Sequence, residues 1–232
     1  MPLHRFTFIG QGVYTLPEAS RLTGIPGRRI RRWMEGYAYT RRGTRRESTP
    51  VIRPRFGRDV GELSLSFADL VEVRFLDAFL NRGVSFRAIR IAAERAQDLL
   101  SMSHPFSSHR FKTDGKDILA EIVRPGRDPE LLNLIHNQYE LRRVVLPLLH
   151  AGLDFDHASE SAARWWPRGR RVGIVLDPLR SFGSPIIASA GVRTSILAAS
   201  AAVDGDALAA RLFSVRVNDV RRAVAYEAQP TQ

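Results

Sequence analysis

The sequence predicts a mainly α protein of the α+β class, and three observations carry that expectation. Two long stretches, 66–80 and 85–100, repeat apolar residues at helical spacing behind a capping serine. Three shorter helical stretches close the chain, at about 194–202, 205–212 and 217–228. Segments 37–58 and 109–123 set strand-forming residues around turn residues, the mark of β-hairpins. With 232 residues, 44% of them hydrophobic and 25% charged, the chain can bury a core without help from metals or disulfides.

Along the chain, Phe6–Ile9 reads as a short strand. Thr15 is placed to cap a helix whose first turn holds Pro17 and Glu18 and which ends near Gly24. Pro26-Gly27 opens a second helix, Arg28 to Glu35, and Gly36 stops it. Residues 37–58 follow as a hairpin with a flexible tip, punctuated by Gly43 and Pro50. Ser66 caps an amphipathic helix bearing Phe67, Leu70, Val71, Val73, Phe75, Leu76, Phe79 and Leu80, broken at Asn81-Arg82-Gly83. Ser85 caps the next, Phe86 to about Leu100, with Ile89, Ile91, Ala92, Ala96 and Leu99 as its apolar side. His109–Thr113, Asp114-Gly115 and Lys116–Val123 then read as a second hairpin around an Asp-Gly turn. Residues 129–150 are helical, with Pro147 at a kink or an end. Residues 154–171 are polar and Arg-rich around Trp165-Trp166-Pro167, Val172–Leu176 is a short strand, and 177–191 is loop-like. The expected organisation is therefore 1–103, a hairpin-and-helix connector at 104–153 that is also a candidate dimer surface, and a small helical domain at 154–232.

The charge is concentrated at one end. Residues 1–58 hold 13 Arg against Glu18, Glu35 and Glu47, a net of +10, while the whole chain carries +11. Such asymmetry points to a local anionic partner, nucleic acid before a membrane surface. The segment 14–39 has the parts of a helix-turn-helix: small Ala19 where two helices cross, Gly24 in the turn, and Ile30 and Trp33 three apart on an inner face. Arg28, Arg29, Arg31 and Arg32 take the remaining positions, and Arg41, Arg42, Arg45 and Arg46 decorate a hairpin shaped like a wing. Arginine bonds phosphates, or binds guanine O6 and N7 in the major groove. A merely solvated helix is the competing reading, but four clustered Arg opposite one Glu repel without compensation.

TLPEASRLTGIPGRRIRRW followed by LSFADLVEVRFLDAFLNRGVSFRAIRIA resembles the winged helix-turn-helix DNA-binding domain of MerR-type regulators. Residues 172–200, VGIVLDPLRSFGSPIIASAGVRTSILAAS, are similar to the small helical domain of unknown function 433. Asp177-Pro178, Gly183-x-Pro185, Gly191 and Thr194 carry that likeness. The combination, with HPFSSHRFKTDGKDIL and RWWPRGR between, resembles the larger VapB-type antitoxins. The resemblance implies an autorepressing type II antitoxin that binds operator DNA and neutralises a PIN-like ribonuclease toxin. Such nucleases hold Mg²⁺ in an acidic cluster, so the implied toxin-contact candidates are Arg180, Arg193, Arg211, Arg216, Arg221 and Arg222. A homodimer is expected, because one small recognition helix rarely gives operator-grade affinity. The alternative is a MerR-like transcriptional regulator whose C-terminal half is an oligomerisation or ligand module.

Several function classes are disfavoured. Cysteine is absent, which removes disulfides, thiolate metal sites and a thiol nucleophile, and fits a reducing, cytoplasmic setting. Neither a signal peptide nor a membrane span is expected from the apolar runs. Asp154-Phe155-Asp156-His157 has metal-binding residue types at a spacing that fits no helical or strand ligand set, and reads as a solvated loop. Glu94 and Asp98 read as a surface charge pair, and Gly10-x-Gly12 lacks the third glycine of a phosphate loop. The histidines are scattered, and Ser and His within 101–109 have no orienting acid in register. Trp165 and Trp166 could stack on a base, but such a pair more often clamps a linker to a core. No enzyme activity, cofactor or metal is expected.

Overall fold

The computed structural model describes residues 8–58, 61–111 and 150–228. Its helices and small antiparallel sheets make it an α+β protein. The chain divides into an N-terminal unit, Tyr14–Ala151 with Phe155–Ala162, and a C-terminal unit, Met1–Val13 and Gly152–Asp154 with Ala163–Gln232.

In the N-terminal unit, β1 (Tyr14–Thr15) leads into α1 (Leu16–Thr23). Thr15 Oγ1 accepts from the Glu18 N–H at 3.4 Å and the Glu18 carboxylate accepts from the Thr15 N–H at 2.8 Å, a reciprocal cap. Gly24 ends α1 in the left-handed region, φ 74°, and three residues later α2 (Gly27–Glu35) begins. Gly36 ends α2 at φ 75°, where a Cβ would overlap the Ser48 carbonyl, so only glycine passes between α2 and the hairpin. That hairpin is β2 (Tyr37–Arg41) and β3 (Thr44–Ser48), paired from Tyr37–Ser48 to Arg41–Thr44. Its tip is a tight two-residue turn, Arg42-Gly43, with φ 51° and 76°, rather than a loose loop. After Ser48 the chain leaves the hairpin, burying Val51, Ile52 and Phe56, and returns as β4 (Ser64–Leu65) against β1.

The next helix, α3 (Phe67–Asn81), is more than amphipathic. Phe67, Leu70, Val71, Val73, Phe75, Leu76 and Phe79 are all buried, and so are Asp69 and Glu72. Helices α1 and α4 (Phe86–Leu100), strand β4 and a 3-10 turn at Pro105–Ser107 pack around it. In α4 the buried positions are Ala88, Ile89, Ala92, Ala93, Ala96 and Leu100, while Leu99, expected inside, is 47% exposed. The hairpin expected over 109–123 does not start as a strand. Ser108 Oγ accepts the Phe111 N–H at 3.0 Å, and residues 109–111 are helical; residues 112–149, with the rest of that hairpin and the expected 129–150 helix up to His150, lie outside the described residues. Phe111 enters the core instead, its ring edge-on to Phe75 and to Phe106.

Most of a four-stranded sheet belongs to the C-terminal unit, in order β5 (Leu153–Phe155), β6 (Ala162–Trp165), β7 (Ile174–Leu176) and β8 (Pro185–Ile187). The segments around β5, β6 and β8 read as loop in the sequence, because three or four residues are too few to display alternation. The strand expected at Phe6–Ile9 is not formed in its described part. Ile9–Gln11 is a turn, closed by the Gln11 N–H on the Phe8 carbonyl at 3.1 Å, and Gly10 and Gly12 carry positive φ; Phe6 and Thr7 lie outside the described residues. Helices α5 (Thr194–Asp204), α6 (Asp206–Leu212) and α7 (Val217–Glu227) follow. Leu197, Ala209, Ala210, Val220 and Ala223 close a core on Ile174 and Ile187 of the sheet.

Buried Glu72 of α3 and His104 beside it dictate a pH dependence. Burial pushes Glu72 up to about 7 from an ordinary 4.5, against the opposing pull of His104 and the Ser107 N–H. His104 is itself raised: burial lowers it, but the hydrogen bond and charge of Asp69 outweigh that. Between pH 4.5 and 7 the folded chain therefore keeps a proton on Glu72 that the unfolded chain has released, so stability falls as pH rises through that window. The limiting slope is about 1.4 kcal/mol per pH unit, and the stabilising share of His104 is likewise lost as pH rises through its raised value. Urea unfolding at pH 5 and pH 7 should show Glu72→Gln losing less stability than the parent over that interval. Equal losses would contradict a protonated Glu72.

Candidate functional site

The arginine cluster sits on α2 as the helical period requires. Ile30, Trp33 and Met34 are buried, and the opposite side exposes Arg28, Arg31, Arg32 and Glu35, spaced i, i+3, i+4, i+7. The N-terminal end of α2 has no side-chain cap, and the Arg29 N–H bonds the Pro26 carbonyl at 2.8 Å, so no side-chain oxygen offsets the positive end of the helix dipole. Arg29 lies at the edge of this face. It forms an ion pair with Asp77 of α3 at 3.1 Å and lies 5.2 Å from the Trp33 ring centre, so part of its charge is already committed. Glu35, the one acid on the exposed face, is answered by Arg58, Nε to Oε1 2.6 Å. The net surface offered is Arg28, Arg31 and Arg32.

The hairpin continues the basic surface. The Arg32 guanidinium stacks on the Tyr37 ring at 3.9 Å, which fixes its direction with little entropy left to lose on binding. Tyr39 lies 5.8 Å from Tyr37, ring centre to ring centre, and is 39% exposed. In the hairpin register Arg46 stands opposite Tyr39 and Arg45 opposite Thr40, so adjacent Arg45 and Arg46 point to opposite faces. Both are exposed, as is Arg42 in the turn. Arg41 ends β2, with its side chain outside the described residues. A non-glycine residue held at φ 51° costs on the order of 1 kcal/mol, and such strain concentrates at working surfaces.

Two residues that sequence reasoning missed set the pose of this surface. Arg90 of α4 donates from Nη2 to Ser48 Oγ at 2.9 Å and to the Thr49 carbonyl at 2.7 Å, pinning the base of the hairpin. Asp77 holds Arg29 and also accepts from Asn81 Nδ2 at 2.8 Å. Neither has a local signature, because each acts across a long sequence separation. Arg58 was countable in the basic segment, but its pairing with Glu35 was not.

The arginines considered in the C-terminal unit separate into two kinds. Arg222 is structural: Nη1 donates to the Val172 carbonyl at 2.9 Å, and Nη2 pairs with buried Asp219. Arg180 is tied to the Ala188 carbonyl at 3.1 Å, with its guanidinium against Gly191. Arg221 makes an exposed ion pair with Asp206 at 3.0 Å, Arg211 and Arg216 are exposed, and Arg193 is half-buried at the start of α5. Residues singled out by type elsewhere also have structural partners. Asp154 accepts from Trp166 Nε1 at 2.9 Å and pairs with Arg170, while Asp156 accepts the Ala158 and Ser159 N–H groups of its own turn. Trp165 is buried on β6, and Glu94 and Asp98 are exposed on α4. Among the described residues, no group of three or more His, Asp or Glu is arranged to hold a metal ion.

This division is testable by stability alone. Arg222→Ala strands the Asp219 carboxylate in a buried position and should cost about 1–3 kcal/mol in chemical denaturation. Arg211→Ala should stay within about 0.5 kcal/mol of the parent. Equal small effects would mean that the Arg222 contacts do not hold the unit together.

No protein-family model matches the chain. The chain is similar to "Putative antitoxin VapB45" of Mycobacterium tuberculosis (strain ATCC 25618 / H37Rv), with 28% identity over 194 residues that cover 79% of this chain and 80% of that one. Its fold matches the X-ray crystal structure of Rv2018 from Mycobacterium tuberculosis at a TM-score of 0.64 and 21% identity, over 91% of this chain and 96% of that chain. The architecture described above is therefore shared along nearly the whole length of a solved protein.

Proposed function

We propose that this chain is the antitoxin of a type II toxin–antitoxin pair, a non-enzymatic protein that binds its own operator DNA and neutralises a PIN-like ribonuclease. The observation that carries the DNA half is the single exposed face of α2, where Arg28, Arg31 and Arg32 stand beside an uncapped helix end. In this reading α2 is the recognition helix of a MerR-like winged helix-turn-helix and β2–β3 is its wing. Arg31 and Arg32 take phosphates or guanine edges, while Arg42, Arg45 and Arg46 reach the flanking backbone. Arg29 joins only by exchanging Asp77 for a phosphate. Two copies act together, since a nine-residue helix covers one half-site.

The similarity to the VapB45 protein supports the antitoxin half. Residues 154–232 are assigned to the toxin side. Their candidate contacts with an acidic nuclease cleft are Arg180, Arg193, Arg211, Arg216, Arg221 and Arg222, with exposed Arg211, Arg216 and Arg221 ahead of Arg180 and Arg222, which also bond backbone carbonyls of their own unit. The protein acts in the cytoplasm, at the nucleoid when bound to DNA.

Affinity for the DNA upstream of the gene should be titrated across salt concentrations. Arg31→Ala with Arg32→Ala should lower the log–log slope by about 0.9 for each lost phosphate contact. Asp77→Asn, which frees Arg29, should steepen it. An unchanged slope in the double variant would remove α2 from the DNA contact.

A further inference from the structure

Helix α5 is apolar on both sides. Inward, Thr194 and Leu197 are buried and Ala201 packs on the core of the unit. Outward, Ser195, Ile196, Ala199, Ala202 and Val203 are exposed, Ile196 at 44% and Val203 at 85%, with no charge among them. The neighbouring helices expose arginine: Arg211 on α6 and Arg221 on α7. A helix apolar all round belongs in an interior, and among the described residues nothing covers this side.

We infer that the outer face of α5 is the contact between two copies of this chain, packed antiparallel about a two-fold axis beside Ala199. The inference rests on the two-copy reading above and names its surface. Two features point to a second copy as the occupant. First, Ile196, Ala199 and Val203 are spaced three and four apart, the knobs-into-holes repeat. They run large, small, large, so an antiparallel copy sets Ile196 against Val203 of the partner subunit, with the small Ala199 allowing close approach. Second, Arg193 opens the helix and Asp204 ends it. An antiparallel pair brings each Arg193 toward Asp204 of the partner subunit, whereas a parallel pair would set like charges together. The isologous arrangement thus matches both shape and charge. Eleven residues span only about 16 Å, so one helix pair buries less than the roughly 800 Å² per partner of a standard interface. The contact is accordingly weak and concentration-dependent.

Sedimentation of the full chain from about 1 to about 100 µM should show a monomer–dimer equilibrium. Val203→Glu and Ala199→Glu, both at exposed positions that do not disturb the core, should each weaken it at least about tenfold. The chain has no cysteine, so Ala199→Cys supplies a single thiol. With copper–phenanthroline accepting two electrons and two protons released, two such thiols should join as a disulfide across the axis, and Arg211→Cys should not cross-link. A dimer equally stable in both Glu variants, or cross-linking at Arg211→Cys but not at Ala199→Cys, would overturn the α5 interface and leave the two-copy reading standing. A parent chain that stays monomeric throughout would overturn both, including the case in which α5 is covered only by a co-expressed nuclease.

Discussion

Asp69 has no exposed surface, and its carboxylate is where three distant stretches of the N-terminal unit meet. One oxygen accepts the Ser66 N–H and hydroxyl, both at 2.8 Å, and the Arg55 N–H at 3.1 Å. The other lies 2.8 Å from His104 Nε2. One residue thereby starts α3, ends the path that descends from the hairpin, and anchors the strap that follows α4. A turn further along, Glu72 takes the Ser107 N–H at 3.0 Å and holds the same strap. Burying a carboxylate is costly unless it is paired and hydrogen-bonded, so the bonds gathered on Asp69 hold the surrounding segments in register. A helix as fully enclosed as α3 needs such addresses, because apolar contact alone does not fix what lies against it.

That frame explains how a strongly basic surface can be held still. Four arginines in five residues repel one another, and the cost has to be met by contacts elsewhere on the helix. Ile30, Trp33 and Met34 supply them on the inner face, and the Trp33 carbonyl receives the N–H groups of Val51 and Ile52 at 2.8 and 3.2 Å. Asp77 and the Tyr37 ring then hold Arg29 and Arg32 from the sides, and Arg90 fixes the hairpin base. The charge is thus organised before any anion arrives, which lowers the entropy lost on binding.

Local chemistry was the legible part of this fold. Thr15 with Glu18, Ser66 and Ser85 announced helix starts that the structure places where the spacing put them. The glycines at 24, 36 and 43 marked turns, but the tightness of the Arg42-Gly43 tip did not show, since a flexible tip was expected there. The exposure of Arg28, Arg31 and Arg32 followed from period alone. Hidden features were long-range or short. A polar Asp69 and Glu72 on an apolar helix gave no sign that both would be buried, because their partners lie 35 residues away in the strap. The start of the second expected hairpin failed because Ser108 supplies a helix cap that outweighs strand propensity at 109–111. Leu99 was placed inside by hydrophobicity, but Leu100 takes the inward position at the end of α4. The three-residue strands β5, β7 and β8 carry too few side chains to show a period; β7 was seen as part of an apolar run, while β8 was hidden among Pro178, Gly183, Pro185 and Gly191.

The claim that unites these features is that one chain both grips DNA and restrains a nuclease. The most direct measurement is co-expression with the adjacent reading frame, affinity purification through this chain, and a ribonuclease assay on the separated and recombined proteins. The account predicts a stable complex, nuclease activity from the partner alone, and its loss when this chain is added back. No complex, together with undiminished nuclease activity on recombination, would contradict the antitoxin role.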